Sequence, residues 1–264
     1  MLYFLVFYFG CIMGSFLNVV ALRLPQEEGL NGRSHCAHCR HVLSWLDLFP
    51  VFSYLFLRGK CRYCKQPVSS RYFLFEIIVG LLFLLVYQQV LPQDSVGFIT
   101  LAKEWILVSA LLVVFVIDLE HYLIFDSVLL AAGLPILFLN VALDYLTRQA
   151  WWSLSSLSVG GLFAGGLFAG FFYLLWWFSK GRWIGFGDVK LMLLLGVALG
   201  WPNTAAAWLL AYFLGTAYAL PLLAFGKKQL SSRLPFGCFL APAALIAVLY
   251  GPALIGWYLA ILGF

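Results

Sequence analysis

Charge is what this chain has least of. Only 10% of its 264 residues are Asp, Glu, Lys or Arg, against 64% that are hydrophobic, and the mean hydropathy is +0.97. That balance excludes a soluble globular fold of this length. Period-two alternation of apolar and polar residues is also missing, which excludes a membrane-spanning barrel, since barrel strands need it. No positively charged segment leads into the first apolar block, and no small-residue cleavage site follows it. The block therefore reads as a retained helix with the mature N-terminus near Met1, not as a removable signal peptide. No glycine-rich strand-to-helix fingerprint for dinucleotides occurs. No basic patch interleaved with aromatics stands clear of the apolar blocks, so the net charge of +5 does not point to nucleic acid as a partner.

Long apolar runs separated by short polar breaks are what remains. A spanning helix takes about 20 such residues, and in lipid only helices and closed barrels satisfy the backbone. The expected fold class is an all-α polytopic membrane protein, a bundle of about eight transmembrane helices with a small cytoplasmic zinc-binding domain. The spans fall near 2–22, 73–91, 101–117, 125–143, 157–178, 187–200, 204–225 and 238–262, the sixth being short. Three regions follow: a first transmembrane helix at 1–22, a polar domain at 23–72 and a transmembrane bundle at 73–264. Segment 23–72 carries Arg23, Arg33, Arg40, Arg58, Lys60, Arg62, Lys65 and Arg71, and positive charge marks cytoplasmic loops. Alternation then places Lys180, Arg182, Lys227, Lys228 and Arg233 inside as well, leaving Lys103 and Arg148 in outside connections. Small residues recur about a helical turn apart through Gly160–Gly170, a pattern that lets a neighbouring helix approach closely.

Two CxxC pairs, Cys36 with Cys39 and Cys61 with Cys64, have the spacing of a four-thiolate structural zinc site. Two disulfides would be the other reading, but a cytoplasmic segment meets reducing conditions. Zinc would supply folding energy that a segment of this size lacks. His35, His38 and His41 crowd the first pair and read as surface polar residues, four sulfurs already completing a ligand shell. Cys11 and Cys238 stand alone beside apolar runs and read as small buried residues.

Acidic residues in or beside spans are costly and usually functional. Asp118, Glu120, His121 and Asp126 lie between the third and fourth spans, and Asp188 opens the sixth after Gly185-Phe186-Gly187. Topology brings Asp118 and Asp188 to the same membrane face. Two aspartates sharing a proton can hydrolyse a peptide bond: one takes a proton from water while the other, protonated, polarises the scissile carbonyl. Gly185 and Gly187 remove side chains where a substrate backbone would approach. Taken singly, Asp188 could cap the sixth helix and Asp118 could be a loop carboxylate.

In order along the chain come Gly14-Ser15-Phe16-Leu17-Asn18, Arg23-Leu24-Pro25, the CxxC pairs, Ser69-Ser70-Arg71-Tyr72 with Glu76, Ile117-Asp118-Leu119-Glu120-His121, Gly185-Phe186-Gly187-Asp188-Val189-Lys190 and Pro235-Phe236-Gly237. This series resembles the type IV prepilin leader peptidases over almost the whole chain. The resemblance implies a GxGD aspartyl protease of the bacterial inner membrane, with Asp118 and Asp188 as the catalytic pair. Its substrates would be prepilins or pseudopilins, cut at the cytoplasmic face, and membrane lipid its surroundings. It also implies a second activity, N-methylation of the new terminus with S-adenosylmethionine as donor. Gly59 and Glu76 adjoin the zinc domain and are candidates for that half, with a turn glycine and a partner for a nearby arginine as the plainer readings. The chain departs from the family pattern at Ala37, Phe73, Phe125 and Cys238, where proline is usual; these affect turns and remove no carboxylate or thiolate.

Two alternatives share these residues. A related GxGD membrane peptidase would lack the methyltransferase, and the cysteine pairs argue against it. A transporter would use Asp118, Asp188 and Glu76 for a cation, but such sites lie near mid-bilayer. A third, a non-enzymatic assembly factor, would use the zinc domain for docking.

Overall fold

The computed structural model describes residues 1–264 apart from 149–152, 154–155, 225–234, 262 and 264. The expected inside charges Lys227, Lys228 and Arg233 lie outside the described residues. Among those described the only regular elements are helices: α1 Leu2–Arg23, α2 Phe52–Phe56, α3 Ser70–Val90, α4 Ser95–His121, α5 Asp126–Leu146, α6 Leu157–Ser179, α7 Phe186–Leu199, α8 Asn203–Ala224 and α9 Gly237–Ile261. Seven of them are long and apolar enough to cross a membrane. The short sixth run is α7; at 14 residues it measures about 21 Å, less than a bilayer's hydrocarbon core of about 30 Å. It is screened by α5, α6, α8 and α9, which pack around it.

Contacts divide the chain into two units, Met1–Gln89 and Val90–Phe264. Helix α3 thus groups with α1 and the polar segment, where the sequence alone groups it with the bundle.

In the first unit α1 and α3 run antiparallel through glycine contacts. A Cβ on Gly14 would lie 2.9 Å from Glu76 Cα, and one on Gly10 would lie 2.7 Å from Gly80 Cα, so the two backbones meet closely as small residues allow. Buried Asn18 donates to the Tyr72 carbonyl at 3.3 Å near the end of the pair.

In the second unit the Gly160–Gly170 run packs as expected. Gly161 and Gly165 face Val197 and Leu193, and a Cβ on Gly196 of α7 would collide with the backbone of Gly165 and Ala164. Helix α4 starts at Ser95 because the Asp94 carboxylate accepts the Gly97 N–H at 2.8 Å. Lys103 therefore sits inside α4, not in a connection. It is buried, its Nζ 3.1 Å from Glu104 Oε1 and 3.5 Å from the Ala198 carbonyl, where a cation suits the last turn of α7. At its other end α4 runs to His121, four residues past the expected stop. Tyr122, left-handed at φ 57°, closes it with an N–H bond to the Asp118 carbonyl at 3.0 Å.

Candidate functional site

Asp118 and Asp188 come from α4 and α7, and both are buried. Because α4 outlasts its apolar run, Asp118 is on the last helical turn and not in a loop. Asp188 is the third residue of α7, and its Oδ2 accepts the Gly185 N–H at 3.1 Å. It does cap the helix, as the plainer reading allowed. Both carboxylates meet the start of α9: the Gly237 peptide N–H faces Asp188, while the Cys238 peptide N–H and thiol face Asp118. The carboxylates are near enough to repel each other, and the Cys238 sulfur feels both. Among the described residues none hydrogen-bonds Asp118 Oδ2, which is buried.

The glycines around the pair have distinct jobs. A Cβ on Gly237 would stand 2.6 Å from Asp118 Oδ2, and one on Gly187 would stand 2.9 Å from Ile124 Cβ. The space beside Gly187 thus goes to the connection between α4 and α5. Gly185 leaves room for the Asp188 carboxylate, whose Oδ2 would be 3.2 Å from a Cβ there. In the sequence Gly237 carries only one sign of this role, a glycine that closes Pro235-Phe236-Gly237 and opens an apolar run. The other acids of this stretch stay apart from the pair. Asp126 binds Lys190 at 2.7 Å at the exposed start of α5, and Glu120 lies 3.9 Å from His121 Nε2.

The four cysteines of the first unit also converge. Cys36, Cys39, Cys61 and Cys64 place their sulfurs within 4.8 Å of one another, with Cys36 and Cys64 at 3.9 Å. Tetrahedral zinc at about 2.3 Å from each sulfur requires sulfurs about 3.8 Å apart, so the donor set fits that ion. The cluster could hold zinc. The two pairs are built alike. Cys36 N–H bonds the His41 carbonyl and Arg40 N–H the Cys36 carbonyl; Cys61, Gln66 and Lys65 repeat this 25 positions on, and Arg40 and Lys65 are both left-handed. The Cys39 peptide N–H, helped by that of His38 and by neighbouring thiols, lowers the Cys36 thiol to about 6. At Cys64 the Gln66 N–H works downward, but burial and the other three sulfurs push the thiol up to about 11. Four sulfurs this close cannot all be anions without a cation among them. His35, His38 and His41 are exposed, as expected, and Cys11 and Cys238 are buried.

Asp47, between the two cysteine pairs, is tied to residues of the second pair's turn. Burial opposes its charge, yet bonds from Ser44, Arg62 at 2.6 Å and Tyr63 at 3.1 Å hold its carboxyl below the usual range.

Beside the cluster lies a cavity of about 510 Å³, bordered by Asn18, Asp47, Tyr54, Tyr72, Phe73 and Glu76 among others. Glu76 is buried; its Oε2 accepts the Val51 N–H at 2.8 Å, and the Ser15 hydroxyl faces it. Gly59 is a turn glycine, left-handed at φ +66°, and a Cβ there would meet Tyr54 Oη at 2.8 Å. Of the two candidates for methyl transfer, Glu76 borders the cavity directly, while Gly59 packs behind Tyr54.

The profile described as the bacterial peptidase A24 N-terminal domain matches residues 8–90, and that of the type IV leader peptidase family matches residues 105–220. A protein of Aeromonas hydrophila named prepilin leader peptidase/N-methyltransferase is 33% identical over 98% of this chain and 94% of its own length. Proteins of the same name are 35% identical in Klebsiella pneumoniae, over 78% of this chain and 89% of that one, and 29% identical in Bacillus subtilis strain 168, over 97% of each. No solved structure matches. Taken with the helical membrane fold, these matches show that the chain belongs to the type IV leader peptidase family.

Proposed function

We propose that this chain cleaves the leader peptide of prepilins and pilin-like precursors at the cytoplasmic face of the bacterial inner membrane, and methylates the new N-terminus. The observation that carries the first half is convergence. Gly237 and Cys238, neighbours in sequence, each turn a peptide group to one of two carboxylates that come from helices seventy positions apart.

In the reaction, water lies between Asp118 and Asp188. One carboxylate takes a proton from it as the hydroxyl adds to the scissile carbonyl carbon, and the other, protonated, gives its proton to the carbonyl oxygen. The resulting diol collapses: one diol hydroxyl gives its proton to the unprotonated carboxylate as the carbonyl re-forms, the C–N bond breaks, the amine leaves with the proton held by the other, and the acid is released with the pair again sharing one proton. The pair titrates as a unit. The apolar helix that follows the leader docks in the bilayer against the bundle. A transporter reading is disfavoured by the N–H groups at α9, which serve carboxylates and supply no oxygen ligands for a cation.

Replacing either aspartate with Asn should reduce cleavage of a purified pilin precursor in detergent by at least about 10³-fold, since members of such a unit are not individually dispensable. Thermal unfolding should be unchanged. Normal processing by both variants would remove the peptidase assignment.

For the second half, the 510 Å³ cavity is in the range of small-molecule sites, about 300–1,000 Å³. S-adenosylmethionine fits its lining by chemistry: the Tyr54 and Phe73 rings, stacked at 4.9 Å, suit adenine or the sulfonium cation, and Asp47 and Glu76 offset positive charge. When bound, the cofactor supplies an electrophilic methyl group. The chain's residues hold it and orient the incoming amine. Phe73→Ala should weaken binding of labelled S-adenosylmethionine by about 2- to 12-fold in equilibrium dialysis while sparing leader cleavage. Unchanged binding would move the cofactor elsewhere.

A further inference from the structure

We propose that the connector between the two cysteine knuckles, residues 48–57, is a re-entrant membrane segment whose outer face contacts lipid acyl chains. It reads Leu-Phe-Pro-Val-Phe-Ser-Tyr-Leu-Phe-Leu, with no charged side chain. An uncharged segment of ten residues is too short to span a bilayer, which needs about 20, and this length suits a segment that dips in and returns.

Its depth follows from what it touches. Phe49 and Phe52 hold their rings 5.5 and 5.9 Å from the ring of Tyr8. Tyr8 lies in α1, about fifteen residues from its end at Arg23, or about 22 Å along the axis at 1.5 Å per residue. From the other side, Val51 N–H reaches Glu76 Oε2 at 2.8 Å, and Glu76 is about six residues, about 9 Å, inside the start of α3 at Ser70. The two measures place the connector's contacts between about 9 and about 22 Å below the ends of the helices that flank it.

The backbone is prepared for a medium without water. Non-helical backbone at membrane depth must find partners within the protein. Pro50 has no N–H. Phe52 N–H bonds the Pro50 carbonyl at 2.7 Å, Ser53 the Phe49 carbonyl at 2.9 Å and Leu57 the Ser53 carbonyl at 3.0 Å. Val51, at φ 65° and ψ −54° the centre of the tight turn closed by that Phe52–Pro50 bond, turns its N–H away from this ladder, and Glu76 accepts it. The buried carboxylate thereby anchors the turn.

The opposite face is unpartnered and apolar. Phe56 is 83% exposed and Leu55 55%, against 52% for Phe16 on the outer face of α1. Trp45, 70% exposed, stands at the mouth of the loop beside the Asp47–Arg62 pair, where an interfacial tryptophan belongs. Lipid is the occupant because the segment carries no charged side chain and its Phe49 and Phe52 rings lie against Tyr8 within the first apolar span.

The test uses the whole protein in liposomes of phosphatidylethanolamine and phosphatidylglycerol. A carbene reagent dissolved in the bilayer and hydroxyl radicals generated in the water phase are each mapped by peptide mass spectrometry. The expected result is carbene labelling of Leu55 and Phe56 at about the level of Phe16 and about tenfold above the exposed loop residues Leu30 and Asn31, with the radical pattern reversed. Radical modification of 55–56 at the level of 30–31 would place the segment in water and overturn the proposal. Protection from both reagents would mean that protein covers the face, and would overturn it equally.

Discussion

Adding one methyl group at Gly237 should separate catalysis from folding. The Cβ of Gly237→Ala would stand 2.6 Å from Asp118 Oδ2 and 3.1 Å from its Cγ, where an unstrained carbon–oxygen contact needs about 3.2 Å or more. The atom in the way ends a short side chain, so the carboxylate can retreat by about 0.6 Å at the cost of an off-rotamer torsion of about 0.5–1.5 kcal/mol. Alanine favours a helix over glycine by up to about 1 kcal/mol, which offsets part of that, and the unfolding midpoint should move little. Turnover should suffer more. Misplacing a reacting group by up to about 1 Å costs up to about 10²-fold, so a loss of about 10- to 100-fold in kcat is expected, or about 1.4–2.7 kcal/mol of barrier. KM should hold, because the substrate's apolar helix does not use this contact. Gly166→Ala, whose Cβ meets nothing within 4 Å, is the control and should cleave normally. Rates come from gel densitometry of a pilin precursor in detergent. A folded Gly237→Ala protein with unaltered kcat would refute the claim that the start of α9 sets the position of Asp118.

Gly196→Ala should do the reverse of Gly237→Ala: its Cβ collides with main-chain atoms of Gly165 and Ala164 that cannot rotate aside, so stability should fall by about 1–3 kcal/mol or more, read as a lower unfolding midpoint; an unshifted midpoint would contradict the packing. Elemental analysis should find about one zinc per chain, lost on Cys61→Ser substitution, and an active metal-free preparation with ordered knuckles would defeat the assignment. Because the Cys64 thiol is held up to about 11, it carries its proton at neutral pH, so reloading stripped protein should release at least about one proton per zinc, and affinity should fall as pH falls. Titration in weak buffer measures this, and uptake without proton release would exclude thiolate ligation by Cys64.

How far sequence reaches is clearest at residues where it stops. The knuckles were legible because four-sulfur chemistry demands CxxC spacing whatever the surrounding fold, and the spans because lipid demands long apolar runs. The end of α4 was not. Polar residues end a hydropathy run, but the helix ends only where Tyr122 turns left-handed, a conformation its residue type does not announce. Lys103 misled in the same way, since a lysine reads as loop until its burial against Glu104 and the Ala198 carbonyl is seen. Glu76 invited an arginine partner and found the Val51 N–H, because a strained turn 25 positions away created the need.

The same lysine fixes where the proposed chemistry happens. Helix α7 is about 21 Å long, so it cannot reach both surfaces of a core about 30 Å thick. Buried Lys103 and Glu104 form an ion pair of a kind that is costly anywhere but near a membrane boundary, and Lys103 Nζ approaches the Ala198 carbonyl near the end of α7. From that level Asp188 is about ten residues back along α7, or about 15 Å, and Asp118 about fifteen residues on along α4, or about 22 Å. The carboxylates therefore lie toward the end of the bundle away from Lys103, each on a terminal turn of its helix, and a leader junction entering from that end must unwind from its own helix to reach them. The acids sit at helix ends, where peptide N–H groups from Gly185, Gly237 and Cys238 can hold both carboxylates while a water reaches them.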